Sequence, residues 1–298
     1  MPARVTVSIV LFNHSPGQVC GLLETLSRDP ECLEWIVVDN GGSAEAAALA
    51  SSLGARVLRP ERNLGFGCAH NLALGSLIST SPYHLILNPD IVLGRGTLAE
   101  LATVMDGSPQ VGSVMPRVLY PDGSTQFLCK LLPTPLDLVL RRFATGPLRR
   151  VFTKQMDRYD MKGFDYSRPV YVPVLSGCFM FTRRSVLDAV GGFDDRFFLY
   201  MEDVDLCRRM GSISRLLFWP RSTIIHGHSQ GSYRHLRLLR LHVLAAFTYF
   251  SKWGWFYDPE RRARNRAGLV DAGVKPGRAV SLTPIAKSGD PSLQEPPH

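Results

Sequence analysis

The chain has 298 residues, 45% hydrophobic and 20% charged, a balance that excludes fibrous and wholly disordered classes and suits one large domain or two small ones. Its net charge of +8 is unevenly placed: eleven Lys/Arg stand against four Asp/Glu between Lys130 and Arg184, and eight against two between Tyr233 and Arg266. Such patches attract polyanions, whether nucleic acid, acidic lipid head groups or phosphorylated substrates, and charge alone does not choose among them.

Val5–Phe12 reads as a buried strand, and Val19, Leu22, Leu23 and Leu26 give Gly17–Ser27 helical spacing. Glu34–Asp39 is a second strand that ends in the turn Asn40-Gly41-Gly42-Ser43, with Ser43 as N-cap of an alanine-rich helix. Ala55–Arg59 is a third strand. Asn63-Leu64-Gly65-Phe66-Gly67 opens a helix to about Ser79, and Tyr83–Leu87 is a fourth strand ending at Asn88-Pro89-Asp90. Thr97–Asp106 is helical and Val111–Met115 a short strand. Strands alternating with helices imply a parallel α/β sheet, with ligands beyond the carboxyl ends of its strands. Asn13, Asp39, Asn40 and Asp90 fall at those ends.

From Tyr120 to Arg168 the pattern dissolves into prolines and basic residues and reads as a variable insertion. Val170–Thr182 is a strand, Arg184–Val190 a short helix, and Glu202–Met210 a helix with acids in its first turn, where the dipole favours them. Leu216–Trp219 and Thr223–His226 are two short strands. Leu236–Phe256 is a basic, aromatic helix, and the polar stretch from Gly273 onward is expected to be disordered. Six cysteines without a C-x-x-C pair fit neither a zinc site nor a disulfide framework. No apolar stretch reaches the roughly 20 residues of a membrane span, and Met1–Arg4 leads into a strand without a signal peptide, so a cytoplasmic location is expected.

Asp39 closes an apolar strand, where a carboxylate either accepts from a nucleobase or ribose or caps a turn. Asp90 suits a divalent ion holding a diphosphate, which needs only one or two protein carboxylates, although N-P-D is also a common turn. Glu202, Asp203 and Asp205 put three acids in four residues beside an aromatic cluster, either around a general base or at a solvated helix start. His226, with His228 two residues on, is a metal ligand or a structural histidine.

The blocks VSIVLFN, IVVDNG, RNLGFGCAHN, LILNPD, LSGCFMF and GGFDDRFFLYMEDVDLCRR, in this order from about Val5 to His228, resemble the family 2 glycosyltransferases. The likeness is strongest to bacterial rhamnosyltransferases of cell-surface polysaccharide assembly. The resemblance implies a GT-A fold over residues 1–232: α/β, a Rossmann-like nucleotide-binding half continuous with an acceptor-binding half around one mixed, mostly parallel sheet. It leaves a variable acceptor-side insertion at about 120–170, a basic aromatic helical segment at 233–270 and a tail at 271–298. It implies that Asp39 contacts the base, that Asp90 holds Mg2+ or Mn2+, and that Asp203 deprotonates the acceptor. A late histidine completes the metal shell, and spacing from Pro220 favours His226 over His228. Arg62, Asn63, Gly65 and Asn71 match the block that lines the nucleotide, with Asn13, Asn40 and Asn88 on the same side. Arg209 matches a basic position that steadies the leaving diphosphate, and Ser176, Gly177 and Glu202 fall on the acceptor side. One departure stands out: Asn88 replaces the first acid of the D-x-D pattern, so the metal site carries one charge fewer.

The expected reaction is inverting transfer from dTDP-L-rhamnose, with a UDP-hexose as the alternative donor, to a lipid-linked saccharide at the inner face of the cell membrane. Trp253, Trp255, Phe256 and Tyr257 beside arginines suit an anionic membrane surface; the same segment also reads as a core-packing helix with a solvated basic face. A sugar-nucleotide pyrophosphorylase needs a Gly-rich basic loop where N-H-S-P-G stands. A nucleic-acid-binding protein leaves Asp39, Asp90 and Asp203 without a role, so no nucleic-acid partner is expected.

Overall fold

All seven residues of β1 (Val5–Leu11) are buried, as a Val/Ile-rich run requires of a strand covered on both faces. In the computed structural model, which describes residues 3–227 and 236–273, this strand pairs in parallel with β2 (Cys32–Asp39) on one side and β4 (Tyr83–Leu87) on the other. β3 (Arg56–Leu58) extends the sheet beyond β2. The crossovers are α1 (Pro16–Ser27), α2 (Ala44–Ser52) and α3 (Phe66–Ser76), and α1 buries the predicted stripe Val19, Leu22, Leu23 and Leu26. Ser43 is the N-cap residue of α2, as expected, but its hydroxyl makes no cap hydrogen bond; it accepts the His14 backbone N–H at 2.9 Å and so ties the exits of β1 and β2 together.

The other half of the sheet is mixed. β8 (Phe179–Arg183) runs antiparallel between β4 and β6 (Val111–Leu119), and β9 (Arg215–His226) lies parallel to β6. Two short strands, β5 (Ile91–Val92) and β7 (Val170–Tyr171), pair antiparallel with β9. The order is β3-β2-β1-β4-β8-β6-β9-β5, with β7 also on β9, so one sheet joins both halves. α4 (Thr97–Asp106) matches its sequence bounds; α8 (Arg184–Ala189) and α9 (Glu202–Met210) complete this region.

Three segments differ from the sequence reading. The run Val170–Thr182 is two strands, because the chain leaves the β9 ladder after Val172, whose N–H still reaches the Leu216 carbonyl at 3.0 Å, and Pro173 has no N–H to give. Leu216–Trp219 and Thr223–His226 are halves of the single strand β9, interrupted where the register steps between Pro116 and Arg117 opposite Trp219 and Thr223. The supposed insertion carries α5 (Pro135–Phe143), α6 (Gly146–Val151) and α7 (Thr153–Tyr159). A capping box starts α5: the Thr134 N–H donates to Asp137 Oδ2 at 2.8 Å, and the Asp137 N–H returns to Thr134 Oγ1 at 3.2 Å. That T-P-L-D signal is legible in the sequence. The helix was obscured because Leu136, Val139 and Phe143 face outward, 50%, 52% and 56% exposed, leaving no inward apolar stripe to count.

α10 (Leu236–Trp253) and α11 (Pro259–Asp271) pack on the core through Ala245, Tyr249, Phe250 and Leu269. Arg208 of α9, itself buried, holds Asp258 with two hydrogen bonds of 2.7 and 2.8 Å, and its guanidinium lies 4.2 Å from the centroid of the Trp253 ring. The fully buried Asp205 takes Arg209, Lys252 and the Trp253 indole N–H. The Trp253 indole therefore faces inward. Between the two sequence readings of α10, the core-packing face is present, but its outer face shows Val243, Leu244 and Phe247 and is apolar. The expected tail boundary falls at the end of α11, where Asp271 accepts the Tyr171 N–H at 2.7 Å. His228, Tyr233 and residues 274–298 lie outside the described residues. All six cysteines are free thiols, and no helix among the described residues is long and apolar enough to cross a membrane.

Candidate active site

The carboxyl ends of β1, β2, β4 and β9 share one edge of the sheet with the amino end of β8. Leu11 pairs with Asp39, Leu87 with Phe179, and Ile91 with His226. The Asn88 N–H donates to the Cys178 carbonyl at 2.9 Å, and the neighbouring Gly177 N–H donates to Asp203 Oδ2 at 3.0 Å. Cys178 thus lies between two of the predicted acids. Burial first, then the charges of Asp90 and Asp203, push its thiol up to about 12. Asp39, Asp90 and Asp203 line the same edge.

At the β2 end, Asp39 Oδ1 accepts the Gly41 and Ser43 N–H groups, each at 3.2 Å, and Oδ2 has the exposed Arg59 guanidinium at 3.9 Å. The Asn40 amide is committed to the loop that follows β3: it donates to Asn63 Oδ1 and the Gly65 carbonyl and accepts the Leu64 N–H, all within 2.9 Å. Gly65 has φ +81°, and a Cβ there would collide with the Phe198 carbonyl, which also accepts the Phe66 N–H at 3.0 Å. The turn is therefore pressed against the approach to α9. Asn13 has φ +58°, and its side chain occupies the space that a Cβ on Gly42 would need. Asn13 and Arg62 are exposed, while Asn88 is partly buried.

Two residues placed by resemblance at the nucleotide are structural clamps here. Asn71 donates to the Phe193 carbonyl at 2.8 Å and accepts its N–H at 2.9 Å. Arg209 binds Asp205 at 2.8 Å and the Val190 and Gly192 carbonyls at 2.7 Å. Both fasten the 190–193 turn.

Asp90 Oδ1 is buried, has no hydrogen-bond partner among the described residues, and lies 3.3 Å from His226 Nε2. Gln126, which no sequence motif marked, sets the ring. Its Nε2 donates to the His226 carbonyl at 2.8 Å, so its Oε1, 3.0 Å from His226 Nδ1, must accept from that nitrogen. Nε2 then turns to Asp90 in the orientation a metal-ligating imidazole adopts. Burial pushes the Asp90 carboxyl up, but His226 and then His14 outweigh it and hold it below its ordinary value. An orphaned carboxylate oxygen beside an imidazole nitrogen fits a divalent ion. No group of three or more His, Cys, Asp or Glu among the described residues is placed to hold a metal alone, so for such an ion substrate oxygens and water would have to complete the shell.

Asp203 is partly buried, with Oδ2 on the Gly177 N–H and Oδ1 on its own neighbour Val204 N–H at 2.8 Å. A Cβ on Gly177 would stand 3.1 Å from the Asp203 Cβ, so glycine there permits the grip. Ser176 Oγ accepts the Cys178 N–H at 3.4 Å in the same loop. Before α9, Tyr200 and Met201 both have positive φ, 74° and 65°. Consecutive left-handed residues of this bulk are strained, and such strain gathers at functional sites.

Glu202 is buried, with Oε2 unpartnered. Burial, then the charge of Asp203, push its carboxyl from 4.5 up to about 8, so it stays largely protonated at neutral pH. The folded state therefore holds a proton that the unfolded chain releases. Its stability contribution is complete below about pH 4.5 and is lost as pH rises through about 8. Glu202→Gln should remove that slope, gaining on the order of a few kcal/mol over the parent by pH 8 but little at pH 5. Urea unfolding at the two pH values measures it, and an equal difference at both would refute the raised carboxyl.

Residues 6–191 match the family model described as Glycosyl transferase family 2. The chain belongs to this family. It is 29% identical over 241 residues to N-acetylglucosaminyl-diphospho-decaprenol L-rhamnosyltransferase of Mycobacterium tuberculosis (strain ATCC 25618 / H37Rv), covering 75% of this chain and 77% of that one. It is 26% identical over 257 residues to rhamnosyltransferase WbbL of Escherichia coli (strain K12), covering 83% and 93%. Among solved structures it resembles the mannosyltransferase PcManGT from Pyrobaculum calidifontis in complex with GDP-Man and Mn2+, with TM-score 0.58 and 18% identity, covering 90% of this chain and 69% of that one. The family 2 protein is thus a glycosyltransferase with the expected GT-A fold around a single mixed sheet.

Proposed function

We propose that this family 2 enzyme transfers L-rhamnose from dTDP-L-rhamnose to a hydroxyl of a lipid-linked saccharide, inverting the anomeric carbon. The observation that carries the reading is the Asp203 carboxylate, gripped by the Gly177 N–H on the same sheet edge as Asp39 and the Asp90–His226 pair. The names of the two rhamnosyltransferase relatives support the sugar, and the diphospho-decaprenol in one of them supports the acceptor class.

The acceptor oxygen attacks the anomeric carbon while its proton passes to Asp203. The bond to the nucleoside diphosphate breaks in the same step, and the nucleotide leaves with the electron pair. A sugar hydroxyl is too weak an acid to ionise beforehand, so the base acts as the new bond forms. Asp90 and His226 would hold Mg2+ or Mn2+, whose charge stabilises the leaving diphosphate. Asp39 would accept from the base or ribose. The outer face of α10, with Phe256 and Tyr257 exposed beyond it, would rest on an anionic membrane surface.

Thermal shift with a panel of nucleotide sugars, with divalent ion and with EDTA, tests the donor. At about 100 times Kd, dTDP-L-rhamnose should raise Tm by about 5–10 °C with the ion and far less with EDTA. Preference for a UDP-hexose would replace the donor; response to none of the sugars would overturn the reading.

A further inference from the structure

One stripe of α10 faces α9, the helix that carries Asp203. His242, Tyr249 and Trp253 recur at i, i+7 and i+11, which puts them on a single helix face. His242 stacks on Tyr200, with ring centroids 3.5 Å apart and 27° between the planes. Tyr249 Oη accepts from Arg208 Nη1 at 3.5 Å. The Trp253 indole N–H donates to Asp205 at 2.7 Å, and its ring carries the Arg208 guanidinium. α10 therefore touches the chain on both flanks of Asp203, at Tyr200 before it and at Asp205 after it.

The two flanks differ in kind. Asp205 lies within a regular helix and is fixed by ion pairs and hydrogen bonds. Tyr200 and Met201 hold φ of 74° and 65°, a left-handed conformation that bulky side chains leave unless their surroundings impose it. From the α3 side, the Phe66 N–H donates to the Phe198 carbonyl at 3.0 Å, two residues ahead of the strained pair. Met201 is buried, and its carbonyl accepts the Asp205 N–H at 2.9 Å. From the α10 side, the contact is the ring of His242 on the ring of Tyr200. Burial first, then Arg142 and Arg141, push that imidazole down to about 4, so it is neutral at neutral pH and meets Tyr200 as one flat ring on another.

We propose that His242 is a positioning residue for the transfer: its stack on Tyr200 holds the left-handed turn Tyr200–Met201, and that turn sets where Asp203 stands. The inference rests on the base role of Asp203 given above and deepens it. With the stack gone, Tyr200 relaxes out of the left-handed region and the amino end of α9 turns with it. The carboxylate then slips from its two donors, the Gly177 and Val204 N–H groups. Asp90 and His226, on other elements, keep their places.

Amide hydrogen exchange of the full chain reads the turn without turnover. His242→Leu, which fills the space without a ring, should speed exchange at Gly177, Val204 and Asp205 by about ten-fold or more and leave β1 and β2 unchanged. His242→Phe should restore the parent's exchange, because a second flat ring replaces the first. Turnover is read as dTDP release from dTDP-L-rhamnose, with water standing in for the acceptor hydroxyl. The Leu variant should lose about ten-fold or more in kcat with the donor KM within about two-fold, and the Phe variant should recover most of the loss. Unchanged exchange at the three amides, exchange raised over the whole chain, a Phe variant as impaired as the Leu variant, or a Leu variant with the parent's kcat would each overturn the proposal. Failure of the functional reading looks different: the parent itself releases no dTDP, while the exchange pattern of the three proteins is retained.

Discussion

Asp203→Asn should lower kcat by about 10²–10⁴-fold, the usual share of a positioned general base, and leave donor affinity within about two-fold. The carboxylate has two backbone donors, the Gly177 and Val204 N–H groups, one on each oxygen. An amide keeps one acceptor and must turn its NH2 toward the other N–H, so the substitution also loosens the grip from Gly177. That local cost falls on the loop between β7 and β8 and not on the Asp90–His226 pair. Nucleotide-sugar binding, read by thermal shift with the divalent ion, should therefore survive while turnover collapses. If donor binding falls in step with kcat, Asp203 belongs to the donor site and the base lies elsewhere.

Asp90→Ala should remove the divalent-ion dependence of donor binding and cost about 10²–10³-fold in kcat/KM, of the order measured when a group stabilising developing negative charge is deleted. With Asn88 where the D-x-D pattern has its first acid, Asp90 would be the carboxylate left for the ion, with no second acid of that pattern to compensate. Gln126→Ala should act in the same direction but more weakly. It frees the His226 ring from the hydrogen bond that fixes its Nδ1 proton, and such supporting residues contribute about 10–100-fold in metal affinity. Titration of Mn2+ against the dTDP-induced shift in Tm ranks the three proteins. An Asp90→Ala variant with the parent's Mn2+ dependence would remove the metal site from this edge.

His226 shows how far sequence patterning reaches. Spacing from Pro220 suggested the nearer histidine, but the proton on its ring depends on Gln126, a hundred residues away in the chain and in no motif. The same division runs through the E-D-V-D stretch. Three acids in one helical turn are conspicuous in the sequence, yet they have three environments: Glu202 is buried with its carboxyl pushed up, Asp203 is held by the Gly177 N–H, and Asp205 is locked to Arg209 and Lys252. Only their neighbours in space distinguish them. Asn71 and Arg209 add contacts that their motif does not record: Asn71 holds both backbone groups of Phe193, and Arg209 holds the Val190 and Gly192 carbonyls as well as Asp205.

By itself the sequence determined the alternating strands and helices of the nucleotide half, the family, and the strand ends at which Asp39, Asp90 and His226 stand. These follow from local periodicity, apolar run length and turn chemistry, which neighbouring residues carry among themselves. Tertiary structure alone decided that Val170–Thr182 breaks into two strands around a loop that grips Asp203. It also decided that 120–168 folds into helices with outward apolar faces and that α10 shows an apolar outer surface. In each case the deciding partner is distant in the chain, and periodicity records that a face is apolar but not what covers it.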